Sequence, residues 1–167
     1  GCKKRLLRYV CSGDRTSIVM PAPNTLKLLE ENLQQDGEAA GHLSLSADRC
    51  RGFASRPPFT EVQLIELEAL TSRFSRLSDI LIQKVFKTTA RLDGDTPGTV
   101  RDRILQAEKK GIISSADSFI EIRDVRNTIA HDYDNVNFNE VVAFVMKSIP
   151  VLLQCVDSSS AYSKKYY

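Results

Sequence analysis

The chain has no tryptophan and only two histidines and four cysteines in 167 residues, and each scarcity removes a class of chemistry. Cys2, Cys11, Cys50 and Cys155 form no Cys-x-x-Cys pair. With His42 and His131 as the only imidazoles, a zinc site lacks ligands at workable spacing. Scattered cysteines fit a reduced, cytoplasmic chain better than an oxidised, secreted one. Charge of one sign is missing too: 23 basic residues against 21 acidic leave a formal net charge of +2. That excludes a uniformly basic nucleic-acid coat and leaves room for a local basic site. Nothing reads as a strand of any length, no segment repeats, and no Gly-rich phosphate loop occurs, so no cofactor is expected. The most apolar stretch, 141–153, is interrupted by Lys147 and Pro150 and is too short to span a bilayer, so no membrane partner is expected. The opening Gly-Cys-Lys-Lys-Arg looks like a lipidation signal, yet Arg5 stands where a myristoylation motif needs Ser or Thr. Residues 1–23 are expected to be a disordered or artefactual extension, with Met20 a sensible alternative start.

What the chain does have is apolar residues at helical spacing, 42% of the sequence being hydrophobic. A first helix is expected from Asn24, with Leu26, Leu29 and Leu33 on one face, ending at Gly37. Residues 37–58 are broken by Gly37, Gly41, Gly52 and Pro57-Pro58, although 42–55 could hold one helix. Thr60 and Gln63 form a capping box ahead of a stripe made by Leu67, Leu70, Phe74, Leu77, Leu81 and Val85. Continued to Arg91, that helix would be roughly 45–50 Å long. Arg73, Arg76, Lys84, Lys87 and Arg91 fall within about 80° of one another on its wheel. The five residues are either a solvated face or a stripe that tracks an RNA backbone. Thr96 caps a further segment, with Pro97 first, Val100 and Ile104 inside and Gly111 after its last turn. The next helix starts near Ser114 or Ser115, carries Asp117 in its first turn and ends about His131 to Tyr133. Asn137 and Glu140 open the last helix, whose core candidates are Val141, Phe144, Val145, Ile149, Leu152, Leu153 and Cys155, with Pro150 expected to kink or break it. Residues 158–167 are expected to be a loose tail. The fold expected is all-α, an antiparallel helical bundle of four to five helices.

One segment carries chemistry: Glu121-Ile-Arg-Asp-Val-Arg-Asn-Thr-Ile-Ala-His131-Asp-Tyr133. Phe119, Ile122, Val125 and Ile129 mark its buried face, and Arg126 projects about 40–60° from the centre of that face. A guanidinium there is costly unless an anion or a carbonyl cluster meets it. Taken singly, each residue has a bland reading. Arg126 could pair with Glu121 or Asp124; His131 could be a helix C-terminal residue favoured by the dipole; Tyr133 could be a core or rim aromatic. His42 reads as surface or structural.

Together, Arg126, Asn127, His131 and Tyr133 form an Arg-Asn-x3-His-x-Tyr pattern. It resembles the motif of the HEPN superfamily, in particular the HepT-like toxins, over roughly residues 60–157, with 24–58 as an N-terminal helical elaboration. A metal-independent ribonuclease must deprotonate a 2′-hydroxyl, stabilise a phosphorane and protonate the 5′-oxygen. Imidazole can move the protons and guanidinium can meet the charge. One Arg and one His leave a single copy one acid–base group short. The resemblance implies a homodimer in which two motif helices face one another across a shared cleft. It further implies that Arg126 and His131 are catalytic and that Asn127 positions Arg126 or the phosphate. Tyr133 would be a site of AMP addition by a nucleotidyltransferase antitoxin of the MNT type. The expected function is a HepT-like endoribonuclease toxin, cutting an RNA such as tRNA. The alternatives are a non-catalytic HEPN partner that helps a nucleotidyltransferase bind nucleotide or substrate, and a bundle that only mediates protein association.

Overall fold

The computed structural model describes residues 23–131 and 137–167, and the described residues are helical with no strand. Helix α1 runs Pro23–Cys50, α2 Glu61–Asp79, a π-helical turn Ile80–Val85, α3 Phe86–Leu92, α4 Val100–Lys109, α5 Ala116–His131 and α6 Phe138–Ser163, closed by a 3₁₀ turn Lys164–Tyr166. Because α2, the π turn and α3 follow one another without a gap, they form one long rod from Glu61 to Leu92. The described residues thus form five helical rods, within the four to five that the sequence pattern predicts.

The first helix is longer than expected. It does not stop at Gly37 but passes through Gly37 and Gly41 to Cys50. Two interior glycines cost a helix about 1 kcal/mol each relative to alanine. Burial of Leu29, Asn32, Asp36, Ala39, Leu43, Ala47 and Cys50, at intervals of three and four, offsets that cost. Polar ties mark the antiparallel register. Arg49 pairs with Glu66 at 2.8 Å, Arg73 donates to the His42 carbonyl and Ser46 Oγ, Lys84 donates to Gln35 at 2.7 Å, and Asn32 donates to Thr88 at 3.1 Å.

Local signals were reliable at several ends. The Thr60–Gln63 capping box is present in both directions, and Leu67, Leu70, Phe74, Leu77, Leu81 and Val85 are all buried. Ser115 Oγ accepts from the Ser118 amide at the start of α5, and Asn137 holds the N-cap position of α6, its side chain donating to Glu140 Oε1 instead of accepting from the helix. Helix α4 starts one turn later than expected. Its cap is Thr99, not Thr96, in a capping box with Asp102, and Gly98 at φ +54° carries the chain into it. A Cβ at residue 98 would lie 2.6 Å from an Asp102 carboxylate oxygen, so the box itself requires the glycine.

Pro150 does not interrupt α6, which is continuous from Phe138 to Ser163. Pro150 is exposed while Val145, Ile149 and Leu152 anchor both sides of it in the core. With its closing turn this helix is long and apolar enough to cross a membrane by length and composition, longer than the 141–153 run alone suggests. Its Val141, Val142, Val145, Ile149, Leu152 and Cys155 are buried in the hydrophobic core.

The chain end is not loose. Tyr162 and Tyr166 each donate a 2.7 Å hydrogen bond to the Asp93 carboxylate, Lys165 pairs with it at 2.6 Å, and Lys110 pairs with it from α4. Lys165 also sits 3.8 Å over the Tyr162 ring. One carboxylate after α3 therefore clasps the end of α6.

Candidate functional site

Helix α5 delivers the motif. Phe119 and Ile122 are buried, with Phe119 against Phe86 at 5.7 Å between ring centroids, and this fixes the rotation of the helix against the long rod. Further along, Val125, Arg126, Asn127 and Ile129 are only half-buried, so α5 rises out of the core as it approaches the motif.

Arg126 is met by a carboxylate, and it is neither of the two nearby in sequence. Its Nη2 donates to Asp79 Oδ2 at 2.6 Å, and its Nη1 donates to Asn127 Oδ1 at 3.3 Å. Asp79 is the last residue of α2, 47 positions away. Asn127 thus bears on the arginine. The Arg126 Nε is buried without a hydrogen-bond partner among the described residues. Both terminal nitrogens of the guanidinium are thus engaged, and Nε is the donor left over.

Around it lies a cleft of about 670 Å³ lined by α1, α2, the π turn and α5. Arg76, Lys84, Arg123 and Arg126 bring four positive charges to it, against the single carboxylate of Asp79. Three of the buried side-chain atoms that lack a hydrogen-bond partner among the described residues belong to its lining: Ser75 Oγ, Ser78 Oγ and Arg126 Nε. Gln35 of α1 lines it as well, so the N-terminal helix is part of the wall.

The π turn explains why the five basic residues of the rod do not act as one face. A π turn takes more residues per turn than an α-helix, so positions beyond it rotate relative to those before it. Arg76 and Lys84 line the cleft, whereas Lys87 and Arg91 do not. Arg73 is engaged with α1 through His42 and Ser46. On the other side of the turn, Arg103 of α4 donates to Gln83 at 2.8 Å and to the Ile82 carbonyl at 3.5 Å, supporting the widened backbone.

His131 is the last residue of α5, but its side chain lies outside the described residues, as does Tyr133. Asp79 and Arg123 are site residues that sequence reasoning did not single out. Asp79 carries one weak signal, a carboxylate directly before the apolar run Ile80-Leu81-Ile82.

Comparison with known proteins adds the family. The family model described as ribonuclease HepT-like matches residues 47–159, from the end of α1 through most of α6, a wider span than the motif-based 60–157. No curated protein matches the chain. A match over more than half the chain, in an all-helical bundle carrying the Arg126–His131 segment at the end of α5, establishes that this chain belongs to the HepT-like ribonuclease family.

Proposed function

We propose that the protein is a metal-independent endoribonuclease of the HepT-like toxin type, with Arg126 and His131 as its catalytic residues. The observation that carries this reading is the setting of Arg126, a guanidinium oriented by Asp79 and Asn127 inside a cleft with an excess of positive charge. Held in this way, it can bind the scissile phosphate and meet the charge that grows on the phosphorane without first being reorganised. His131 supplies or removes a proton at near-neutral pH.

A single chain offers one imidazole at this place, and cleavage needs both an acid and a base. A homodimer pairing two α5 ends supplies the second His131. The RNA is a single-stranded region, such as a tRNA end or loop, whose backbone can be splayed across the cleft. An MNT-type nucleotidyltransferase acts as antitoxin by adding AMP to Tyr133, two residues from His131. The added phosphate would repel the substrate backbone and screen the arginine. The protein works in the cytoplasm, where these partners are found together.

Expression in a bacterial host tests this reading. The wild-type chain should arrest growth, and His131→Ala or Arg126→Ala should relieve the arrest at equal protein level. Sedimentation of the purified protein should give twice the mass of one chain. Arrest that persists in both variants would remove the catalytic assignment.

The Asp79–Arg126 pair also favours a second reading, because it occupies part of the guanidinium. There the cleft binds a nucleotide for a partner nucleotidyltransferase and cuts nothing. Binding of ATP by the wild-type protein, with no RNA cleavage at any concentration, would select it.

A further inference from the structure

We infer that Arg76, Lys84 and Arg123 form a second phosphate subsite, which holds a backbone phosphate of RNA next to the one at Arg126. The inference rests on the ribonuclease reading for the identity of the ligand, but its physical basis is separate. The whole chain carries a formal charge of only +2, yet this one cleft gathers four cations against one carboxylate. Like charges brought together cost free energy unless an anion meets them. Asp79 meets Arg126 at 2.6 Å. The other cations have weaker engagements: Lys84 contacts the neutral Gln35 at 2.7 Å, and Arg123 lies 3.5 Å from the exposed Asp124, which is not part of the lining.

Hydroxyl donors complete the site. Ser78 is 1% exposed, and its Oγ and the buried Ser75 Oγ, both in the cleft lining, lack a partner among the described residues. Buried hydroxyls of this kind are usually satisfied, and phosphate oxygens would accept from them. The size fits more than one group, since about 670 Å³ lies within the range of sites that enclose whole small-molecule ligands. The cleft also draws residues from four different elements: α1, α2, the π turn and α5. Lys84 itself lies in the π turn, and π turns are frequent at functional sites. A dinucleotide, with one phosphodiester, would use Arg126 alone. A longer strand would use both places.

The test uses the full chain and a 2′-O-methyl oligonucleotide of about eight residues, which can bind but cannot form the 2′,3′-cyclic phosphate. Its affinity is measured by fluorescence anisotropy at several salt concentrations. Counterion release gives a slope of log K against log salt of about −0.7 per phosphate neutralised on a single strand. The triple variant Arg76→Ala, Lys84→Ala, Arg123→Ala should bind at least tenfold more weakly with a shallower slope. Lys84→Glu alone, at an exposed position, should weaken binding several-fold, whereas Lys109→Ala, at an exposed position of α4, should not change it. In Lys84→Glu the KM for longer RNA should rise by a larger factor than the KM for a dinucleotide.

Wild-type affinity and slope in Lys84→Glu and in a folded triple variant would overturn the subsite. So would absence of wild-type binding at low salt, or displacement of the oligonucleotide by ATP at equal phosphate concentration, which would assign the cleft to a nucleoside polyphosphate. If the wild type binds with the predicted variant losses but never cleaves RNA, the subsite stands and the ribonuclease reading fails. If it cleaves and the variants bind as wild type does, the reverse holds.

Discussion

Asp79 Oδ2 accepts from Arg126 Nη2 at 2.6 Å, joining the end of α2 to the motif helix α5 across 47 residues of sequence. The two side chains are 40% and 28% exposed, so water screens the pair and its main effect is orientation of the guanidinium rather than stability. Asp79 is accordingly a positioning residue, and it also competes with phosphate for the same arginine.

These two roles have separable signatures. Asp79→Asn keeps an acceptor but removes the charge, so RNA binding should tighten modestly. Turnover should fall by about tenfold as the guanidinium loses its fixed geometry. Asp79→Glu should restore part of kcat. Single-turnover kinetics check this, and an unchanged kcat in Asp79→Asn would remove the positioning role.

Asp36 makes the fold less stable as pH rises from about 4 to 7. It is 1% exposed on α1, with Oδ2 lacking a partner among the described residues. Burial raises its carboxyl from 3.8 to about 7, against a smaller opposing effect from the Gly37 backbone. A folded-state value above the unfolded one means stability is full below about pH 4 and is lost as pH rises toward 7. Each tenfold change in proton affinity is worth about 1.4 kcal/mol, so the ionised form costs a few kcal/mol at most. Asp36→Asn should therefore raise the melting temperature above pH 7 by several degrees and leave it nearly unchanged at pH 4. Equal melting curves for the two proteins at pH 8 would contradict this.

Asp93 acts at the other end of the scale. Burial alone would raise its carboxyl, but hydrogen bonds from Lys110, Lys165, Tyr162 and Tyr166 outweigh it and hold the group at about 2. Its stabilisation is present above about pH 4 and is lost as pH falls toward 2. Asp93→Asn should lower stability at pH 7 by about 1–3 kcal/mol, a cost typical of a broken buried network. The same variant should free the residues after Ser159 to exchange their amide protons. Hydrogen exchange of α6 and thermal melts at pH 7 and pH 3 read both effects. Protection at Tyr162–Tyr166 unchanged by the substitution would show that the clasp does not hold the chain end.

The sequence was most legible where structure is decided locally. The Thr60–Gln63 box, the buried stripe from Leu67 to Val85 and the Ser115 start of α5 depend on residues within a turn or two of one another. It was least legible where packing decides. Gly37 and Gly41 look like breaks, but nothing crowds them and the opposite face of α1 is buried, so the helix continues. Thr96 and Thr99 are both good caps, and only Gly98 with Asp102 chooses between them. Tyr162 and Tyr166 read as a polar tail because their acceptor, Asp93, is about 70 residues away.

The site divides along the same line. Arg126 and Asn127 could be read from spacing on one helix, and the contact between them followed. The partner of Arg126 could not: Glu121 and Asp124 are close in sequence, yet the carboxylate that meets it is Asp79. A wheel drawn over the long rod assumed one helical period, and the π turn at Ile80–Val85 breaks it. Lys87 and Arg91 consequently part from Arg76 and Lys84, which line the cleft with Arg123, while Arg73 is drawn to α1 by its own contacts.

The most direct measurement is cleavage of total tRNA and of a short synthetic RNA by the purified protein, with EDTA present throughout. Wild type should cut and leave 2′,3′-cyclic phosphate ends, and His131→Ala and Arg126→Ala should each lose at least a hundredfold in rate while remaining folded. Cleavage at the same rate by wild type and both variants would contradict the account, because the activity would not then arise from this motif.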